Sequence, residues 1–528
     1  MVSGGYAARW FALFLAFYLS YGGVVPAGRP PPRLRKFVSP AVDAEIARIK
    51  AKMSDPQLAQ LFENCLPNTL DTTIFSFTEG SASTVDAVRD TVHDTAAADD
   101  TFVITGDIDA MWLRDSMNQV LPYFRFARKD ARLQALLRGV VNRQALCVRT
   151  DAFANAFNLN RNGNPGPHQD DATTSPSFLG TRVDAMSPAV FERKYELDSL
   201  MAFLKLSRTY HTATNDTTPF DAPWLSAVST VLAIVSAQRD DAQQQFGACL
   251  QGNTQCNAQY LFQRQALEPT DSLEHGRGPP FRRTGMSRTP FRPSDDATTL
   301  PYLIPANAMA VVELRNIANV LRALPTPACD TISAHGAVST CPVSPLKLAT
   351  EAEALAHGLQ EGIETHGVVK HSSGSGDVYA YEVDGFGNHY FMDDANVPSL
   401  LSLPYLGYVD KSDERYLRTR KAVLSTSGNP YFFSGAAGEG TGGPHIGLNY
   451  VWPMGIIVRA LTSDDDAEIA HCLTMLRNAA NTTGFMHESF WADDAGVFTR
   501  PWFAWANSLY GELILTLADS RPHLIFGA

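Results

Sequence analysis

Apolar residues recur at helical spacing along the whole chain, and this periodicity constrains the fold more than any other feature. In Ala131–Val148, leucines and valines stand three or four residues apart, so they would share one face of a helix. The same pattern occurs in Ser39–Met53, Phe191–Tyr210, Trp224–Gln238, Ala306–Leu324, Leu346–Thr365, Arg415–Leu424, Asn449–Leu461, Ala467–Ala480 and Trp502–Asp519. The sequence therefore predicts an all-α protein.

Strand-like alternation is rare, and its best example is Val378–Phe391, where Asp384-Gly385 could form a hairpin turn. The predicted helices are separated by long loops dense in Gly, Pro, Asp, Asn and aromatic residues. A plain bundle would have short connections, whereas long structured loops usually carry function. We expect a helical toroid with a funnel of functional loops at one end.

The N-terminus predicts a route into the secretory pathway. Trp10–Gly28 has no charged residue, and the stretch after it is rich in proline, arginine and lysine. This is typical of a signal peptide, and the run is also nearly long enough for a signal-anchor, so cleavage and anchoring both stay open. We expect residues 1–36 to be this leader with a Pro-rich stem, and residues 37–528 to be a single catalytic domain that is secreted or lies in the ER or Golgi lumen.

Cysteines and glycosylation sequons agree with an oxidising, lumenal compartment. Cys249 and Cys256 bracket a polar loop, as do Cys329 and Cys341, and each pair is a plausible short disulfide. No cysteines have the CxxC spacing of a zinc site. Sequons at Asn215 and Asn481 could be used only in the secretory pathway.

The segment Thr105–Val120 (TGDIDAMWLRDSMNQV) combines acidic, basic and large apolar side chains in an unusual way. A surface loop would not need Met111 and Trp112, and a core segment would not tolerate unpaired Asp107, Arg114 and Asp115. A pocket that binds a polar ligand against an aromatic surface needs both kinds of residue. The net charge of −12 argues against a nucleic-acid partner, which requires a basic face.

Similar clusters recur in RTPFRPSDD, NHYFMDDANVPS, GGPHIGLNYVWP and GFMHESFWADDAGVFTRPWFAW. Neutral sugars are bound in this way, because carboxylates, amides and arginine take the hydroxyl groups while aromatic rings stack on the C–H face. Each cluster also has an interpretation that does not involve a sugar. Asp295 and Asp393 could be helix N-caps, the tryptophans could be core, and Asp107-Ile108-Asp109 could hold a divalent cation without a defined spacing.

The motifs TGDIDAMWLRDS, FRPSDDA, FMDDANVPSLLSLPYLGY, MHESF and FTRPWFAWANSLYGELI together resemble glycoside hydrolase family 125, from about Ser39 to the C-terminus. The resemblance implies an (α/α)6 toroid and a metal-independent, inverting mechanism without a cofactor. It assigns the general acid to Asp198, in YELDSL, and the general base to Glu488, in MHESF. The side chains implied in substrate binding are Asp107, Trp112, Arg114, Asp115, Arg292, Asp296, Asp394, Asn396, His445, Trp491 and Trp502.

The chain departs from the family pattern at Asp109, Met117 and two inserted loops, 243–259 and 325–343, which could reshape the outer substrate sites. We expect an exo-α-mannosidase that removes terminal, α-1,6-linked mannose from mannans or N-glycans. Two alternatives stay open: a calcium-dependent α-mannosidase on a related toroid, and a non-catalytic glycan-binding protein. Membrane contact is expected only through the N-terminal segment.

Overall fold

The structure, a computed structural model, describes residues 25–80, 98–159, 165–172, 186–242, 260–264, 266–325, 343–371, 374, 376–480 and 482–527. Most of the predicted leader, both predicted disulfides and Asn481 lie outside these residues. The secretory location therefore stays a prediction. Within the described residues, no helix has the length and hydropathy needed to cross a bilayer. The other sequon residue, Asn215, is exposed at the left-handed C-terminal cap of a helix.

Helices form two concentric layers. The inner layer holds α3 (Leu113–Val120), α5 (Leu197–Thr214), α7 (Ile304–Ala323), α9 (Leu403–Leu406), α11 (Pro453–Leu461) and α13 (Ala504–Ser520). The outer layer holds α2 (Pro56–Cys65), α4 (Ala131–Thr150), α6 (Ala222–Ala237), α8 (Pro345–Gly362), α10 (Glu414–Val423) and α12 (Asp466–Ala479), and α1 (Pro40–Lys50) packs on α2.

Most inner helices contact the next inner helix in chain order. Helix α3 packs on α5, α5 on α7, α7 on α9, α11 on α13, and α13 returns to α3. Outer helices cover them, with α4 on α5, α8 on α7 and α12 on α11. All eight residues of α3 are buried, as a helix enclosed on every side requires. The molecule is thus the (α/α)6 toroid that the sequence predicted.

Local sequence explains where the helices begin. Asp130 and Asp221 accept backbone N–H bonds at the starts of α4 and α6, and Asp465 does so for α12. Proline at the first turn, as in α7 and α11, costs no helical hydrogen bond because the N–H groups of that turn have no intrahelical partner.

Short antiparallel strands precede several inner helices and connect the loops. They are β1 (Ile74–Thr78), β2 (Asp100–Val103), β3 (Met111–Trp112), β4 (Ala156–Phe157), β5 (Val190–Glu192), β6 (Tyr302–Leu303), β7 (Val368–Lys370), β8 (Asp377–Tyr379), β9 (Glu382–Val383), β10 (His389–Tyr390), β11 (Phe432–Ser434), β12 (Glu439–Thr441), β13 (Tyr450–Val451), β14 (Phe490–Trp491) and β15 (Asp494–Phe498). Six small sheets result: β1-β2, β3-β4-β5, β6-β9-β10, β7-β8, β11-β12 and β13-β14-β15.

The predicted hairpin is confirmed only in its second half. Strand β9 pairs with β10 in an antiparallel register, and Asp384 accepts N–H bonds from Phe386 and Asn388 in the turn between them. Strand β8, by contrast, pairs with β7. Periodicity also placed the start of α5 too early, at Phe191, because β5 and an extended stretch through Glu196 precede the helix.

Residues 25–36, the end of the predicted leader with its Pro-rich stem, pack against the toroid. Val25 is 2% exposed and belongs to the main hydrophobic core. Asn64 holds the backbone on both sides of Ala27, donating to the Pro26 carbonyl at 2.8 Å and accepting from the Gly28 N–H at 3.0 Å. Arg29 then pairs with buried Asp71 at 2.7 Å. The ordered body therefore includes this stretch.

Candidate active site

One pocket lies where the N-terminal ends of the inner helices meet the loops that precede them. Its walls enclose about 460 Å³ of empty space when the open mouth is included. Its walls carry carboxylates, cationic groups and large aromatic rings together. The lining residues are Thr105, Ile108, Trp112, Arg114, Asp115, Pro293, Ser294, Asp295, Asn396, His445, Trp452, Glu488, Arg500, Phe503 and Trp505.

The loop before β3 is shaped by a close approach to an aromatic side chain. Gly106 has φ +128°, and a Cβ atom added there would lie 2.5 Å from the indole ring of Trp502. Only glycine tolerates both the backbone angle and the contact. The loop can therefore lie flat on Trp502 while β3 and α3 direct Trp112, Arg114 and Asp115 toward the pocket.

Arg114 is the centre of the charged groups. Its guanidinium contacts four carboxyl groups on three segments: Glu196 at 2.6 Å, Asp295 at 2.9 Å, Asp115 at 3.3 Å and Asp198 at 3.4 Å. Its guanidinium carbon also lies 5.7 Å from the ring centroid of Trp505. One buried cation cannot neutralise four ionised carboxyl groups, so some of them must hold protons.

Asp198 is at the first turn of α5, with no exposed side-chain surface. Burial raises its pKa to about 6, although Arg114 opposes this shift. Its second carboxyl oxygen, Oδ1, has no hydrogen-bond partner among the described residues. Asp198 lies behind Arg114 rather than on the pocket wall. A protonated Asp198 has the chemistry of the general acid that the sequence predicts. It does not have the access to a ligand that a general acid needs.

Asp295 does reach the pocket, with 23% of its side chain exposed. Its backbone has φ +65°, a conformation that asparagine and aspartate adopt more readily than most residues. Burial disfavours its ionisation, but Arg114, a hydrogen bond from Glu196, Lys194 and His445 together hold its pKa below the usual range. Asp295 thus combines access to the pocket with a buried carboxyl neighbour, Glu196, that is bonded to the same arginine.

Glu488 enters the pocket from the opposite part of the chain, just before β14. Its carboxylate accepts a hydrogen bond of 2.8 Å from the Thr499 hydroxyl and pairs with Arg500 at 3.2 Å. His487 positions this segment, because its Nδ1 bonds to the Arg500 carbonyl at 2.8 Å and its ring stacks on Phe498. Thr499 and Arg500 thus fix the direction of the Glu488 carboxyl group at the pocket wall, as the role of a general base requires.

His445 and Asp296 form a second polar pair at the pocket. His445 Nδ1 lies 3.3 Å from the Asp296 carboxylate. Burial lowers the pKa of His445, but Asp296 and other nearby carboxylates outweigh it and raise that pKa to about 9. His445 is therefore a cation at neutral pH. Asp394 lies beside the same loop, where a Cβ atom on Gly443 would approach its carboxylate to 2.8 Å.

Three tryptophans supply the aromatic wall. Trp112, Trp452 and Trp505 line the pocket, and their indole N–H groups have no hydrogen-bond partner among the described residues. Buried donors usually have a partner. Their clustering at one pocket is typical of a site whose missing partner is a ligand with many hydroxyl groups.

Most of the predicted site residues lie on the pocket wall or directly behind it. The pocket brings together Trp112, Arg114, Asp115, Asn396, His445 and Glu488, while Asp198, Asp296 and Asp394 lie directly behind it. Arg292 is buried against Glu382 at 2.6 Å and so supports the loop that carries Asp295. Their assigned roles stay predictions.

Three predicted residues have other contacts. Asp107 is half exposed and pairs with Arg500 at 3.1 Å. Trp491 packs edge-on against Tyr450, and Trp502 lies under Gly106. None of the three lines the pocket.

Sequence reasoning missed Glu196 and the positions of Trp452, Phe503 and Trp505. Glu196 is two residues before Asp198 and looks like an ordinary cap position in the sequence. The helix-start pattern offered one signal: Trp452 immediately precedes a proline that begins α11, and Trp505 lies in the first turn of α13. Inner-helix starts are where an (α/α)6 toroid exposes side chains to its funnel.

A helical toroid whose pocket combines carboxyl groups with tryptophan walls is typical of a carbohydrate-active hydrolase. The family model described as metal-independent alpha-mannosidase (GH125) matches residues 55–515. The chain belongs to glycoside hydrolase family 125, and both the resemblance seen in the sequence and the predicted enzyme class are confirmed.

The chain is also similar to two known proteins over most of its length. It is 43% identical over 505 residues to the Meiotically up-regulated gene 157 protein of Schizosaccharomyces pombe, spanning 95% of this chain and 90% of that protein. It is also similar to a metal-independent α-mannosidase from Streptococcus pneumoniae, solved as a non-productive complex with α-1,6-mannobiose. That match has a TM-score of 0.76 and 35% identity, and it covers 92% of this chain and 100% of that one.

Proposed function

We propose that this glycoside hydrolase removes terminal α-1,6-linked mannose from mannans or N-glycans and inverts the anomeric configuration. The observation that carries the proposal is one pocket lined by Asp295, Glu488 and three tryptophans with unpaired indole N–H groups. Two carboxyl groups facing a sugar are the minimum for acid–base hydrolysis of a glycoside. The linkage rests on similarity to the Streptococcus pneumoniae protein, which was solved with α-1,6-mannobiose.

Glu488 acts as the general base in this proposal. Its carboxylate is held by Thr499 and Arg500, so it can take a proton from a water molecule that attacks the anomeric carbon. The electron pair of the broken glycosidic bond goes to the leaving oxygen. Inversion requires the base and the acid to flank the sugar with room for this water between the base and the ring.

Asp295 is our choice for the general acid, in place of Asp198. A general acid must come within hydrogen-bond reach of the leaving oxygen, directly or through one water. Asp295 lies on the pocket wall, whereas Asp198 has no exposed side-chain surface and Arg114 lies in front of it. Asp198 then serves to hold Arg114. The opposite assignment, with Asp198 as acid, requires the site to rearrange when substrate binds.

Digestion of linkage-defined mannobiosides tests the activity. We expect release of mannose from α-1,6-mannobiose to exceed release from the α-1,2 and α-1,3 isomers, and proton NMR to detect β-mannose as the first product. The rate should be the same in EDTA. α-Mannose as the first product would contradict inversion. Loss of activity in EDTA would favour a calcium-dependent enzyme, and tight binding without turnover would favour a glycan-binding protein.

Asparagine variants at the two aspartates distinguish the acid assignments. Asp295→Asn is expected to lower turnover of α-1,6-mannobiose on the order of 10³-fold, because the leaving alkoxide is no longer protonated. Hydrolysis of a nitrophenyl α-mannoside should fall much less, since its leaving group needs little help. Asp198→Asn should reduce both substrates by a similar factor. The reverse pattern would assign the acid role to Asp198.

A further inference from the structure

Glu196 lies behind the pocket wall, and the mechanism above does not use it. Its side chain is fully buried at the N-terminal cap of α5. It accepts hydrogen bonds from Arg114 Nη1 at 2.6 Å, Ser199 Oγ at 2.9 Å and Asn155 Nδ2 at 3.1 Å. A glutamate with this many donors is held in one position, so whatever it contacts is held as well.

The neighbour that Glu196 holds is Asp295. Both carboxyl groups accept from the same two side chains, since Arg114 Nη2 donates to Asp295 at 2.9 Å and Asn155 Nδ2 lies 3.4 Å from it. These shared donors hold the two carboxyl groups side by side, away from water. Two negative charges so placed repel each other strongly. One proton, donated by one carboxyl group and accepted by the other, removes that repulsion.

The surrounding charges decide which carboxyl holds that proton at rest. Burial raises the pKa of Glu196 well above its usual value, while the pKa of Asp295 lies below its usual range. Glu196 is therefore the donor and Asp295 the acceptor. The charged groups that act on the pair are Arg114, Lys194, Asp198 and His445, and Asp115, Glu192 and Asp271 form ion pairs with Arg114 or Lys194.

We propose that Glu196 is a positioning residue that shares a single proton with Asp295 and so supplies the proton that Asp295 delivers to the leaving oxygen. This inference rests on the proposed function and on the acid role of Asp295. The proton of Glu196 moves to Asp295, and Asp295 passes it to the glycosidic oxygen as the C–O bond breaks. Water adds to the anomeric carbon and gives its proton to Glu488. Exchange with solvent returns one proton to Glu196 and removes one from Glu488, so the overall reaction is addition of water.

The proton-sharing pair resolves a conflict in the site. Asp295 has access to the pocket, but beside Arg114 and without a protonated partner it would be a simple carboxylate, unable to act as an acid near neutral pH. Asp198 has the raised pKa but no access. Coupled carboxyl groups titrate as a pair, so a proton formally resident on Glu196 is available at Asp295.

Glu196→Gln tests the proposal, because glutamine keeps the shape, accepts from Arg114 and donates to Asp295 but has no proton to give. We expect turnover of α-1,6-mannobiose to fall on the order of 10²-fold and that of a nitrophenyl α-mannoside by less than about tenfold. An acid works only when protonated, so activity is lost as pH rises through its pKa. In the variant, Asp295 has Arg114 and a neutral amide beside it, so it should lose its proton at a lower pH. The basic limb of the kcat/KM profile should therefore move down by about one pH unit.

Two further variants separate proton sharing from a structural role. Glu313→Gln neutralises an equally buried glutamate that pairs with Arg208 outside the pocket, and it should leave the basic limb in place. Asn155→Asp adds a negative charge beside the pair and should move the basic limb to higher pH, which keeps the proposal testable even if Glu196→Gln does not fold. Thermal unfolding of each variant verifies folding.

The outcomes distinguish this inference from the proposed function. Failure of the wild-type enzyme to hydrolyse any α-mannoside would remove the proposed function. The role of Glu196 alone would be overturned by a different set of results. In that case the wild-type enzyme is active and Asp295→Asn loses far more activity on α-1,6-mannobiose than on a nitrophenyl α-mannoside, but the basic limb does not move in Glu196→Gln or in Asn155→Asp. A uniform loss on both substrates in Glu196→Gln would likewise mean that Glu196 only supports Arg114.

Discussion

Replacing Glu488 by glutamine is expected to lower turnover of α-mannosides on the order of 10³-fold or more, equivalent to about 4 kcal/mol in the activation barrier. The variant keeps an acceptor for Thr499 and nearly the same volume, so the segment between His487 and Arg500 should stay in place. What disappears is the ability to take a proton from the attacking water. Because that proton must leave whatever the leaving group is, the loss should be the same for α-1,6-mannobiose and for a nitrophenyl α-mannoside.

Steady-state kinetics on the two substrates measures this expectation. Glu414→Gln, at a glutamate whose side chain is 89% exposed, is the control for an unrelated charge change and should be indistinguishable from wild type. A Glu488→Ala variant offers a stereochemical check, since azide could occupy the space of the missing carboxylate and water and should yield the β-mannosyl azide. Turnover of Glu488→Gln within tenfold of wild type would remove this residue from the base role.

Replacing Arg114 by methionine is expected to have the largest effect on stability. Removing one partner of a buried ion pair costs on the order of 3–5 kcal/mol, since the charges left behind are neither solvated nor paired. Arg114 has four such partners: Asp115, Glu196, Asp198 and Asp295. That cost is a large part of the ~5–15 kcal/mol by which a typical protein is stable. Activity should be lost as well, because Asp295 would be free to move.

Urea unfolding at several pH values measures this effect and its sign. Without Arg114, the pKa values of the remaining carboxyl groups rise in the folded protein above their values in the unfolded chain. Such groups destabilise the fold while they are ionised. The free energy of unfolding of the variant should therefore fall furthest below that of wild type near pH 8, and the difference should shrink as pH falls through the raised pKa values.

Arg125→Met removes the cation of a surface pair with Asp519 and should change the free energy of unfolding by less than about 1 kcal/mol at any of these pH values. A deficit in Arg114→Met that is equally small, or one that grows toward acid pH, would contradict the central role of Arg114. Arg114→Lys should fall between the two, because one ammonium cannot replace a guanidinium that spreads its N–H groups over several carboxyl groups.

Much of the toroid could be predicted from the sequence because helical periodicity is a local property. Each stripe of leucines and valines, such as that of α4, requires only neighbours three and four residues away. Periodicity does not reveal segments that bury polar residues and lack an apolar stripe. Helix α3 buries Arg114, Asp115 and Asn118, so its pattern differs from that of a core helix. It is a helix because the toroid encloses it.

The candidate base and the acid show the limit of motif reasoning. Glu488 was assigned from MHESF and does line the pocket. Asp198 was assigned from YELDSL and does not, because one turn of α5 and the side chain of Arg114 decide which of several nearby carboxyl groups faces the ligand. A motif preserves the order of residues, whereas access depends on the direction of each side chain.

The sequence by itself determined the helical class, the family and the set of segments that build the site, since all three are written in local composition and spacing. Only the tertiary structure decided how the charges are shared. Arg114, Glu196 and Asp295 come from three segments separated by more than eighty residues at each step, and they influence one another only because folding removes them from water. Burial makes a proton shared by two carboxyl groups more stable than two separate charges, and no pattern within one segment can reveal that.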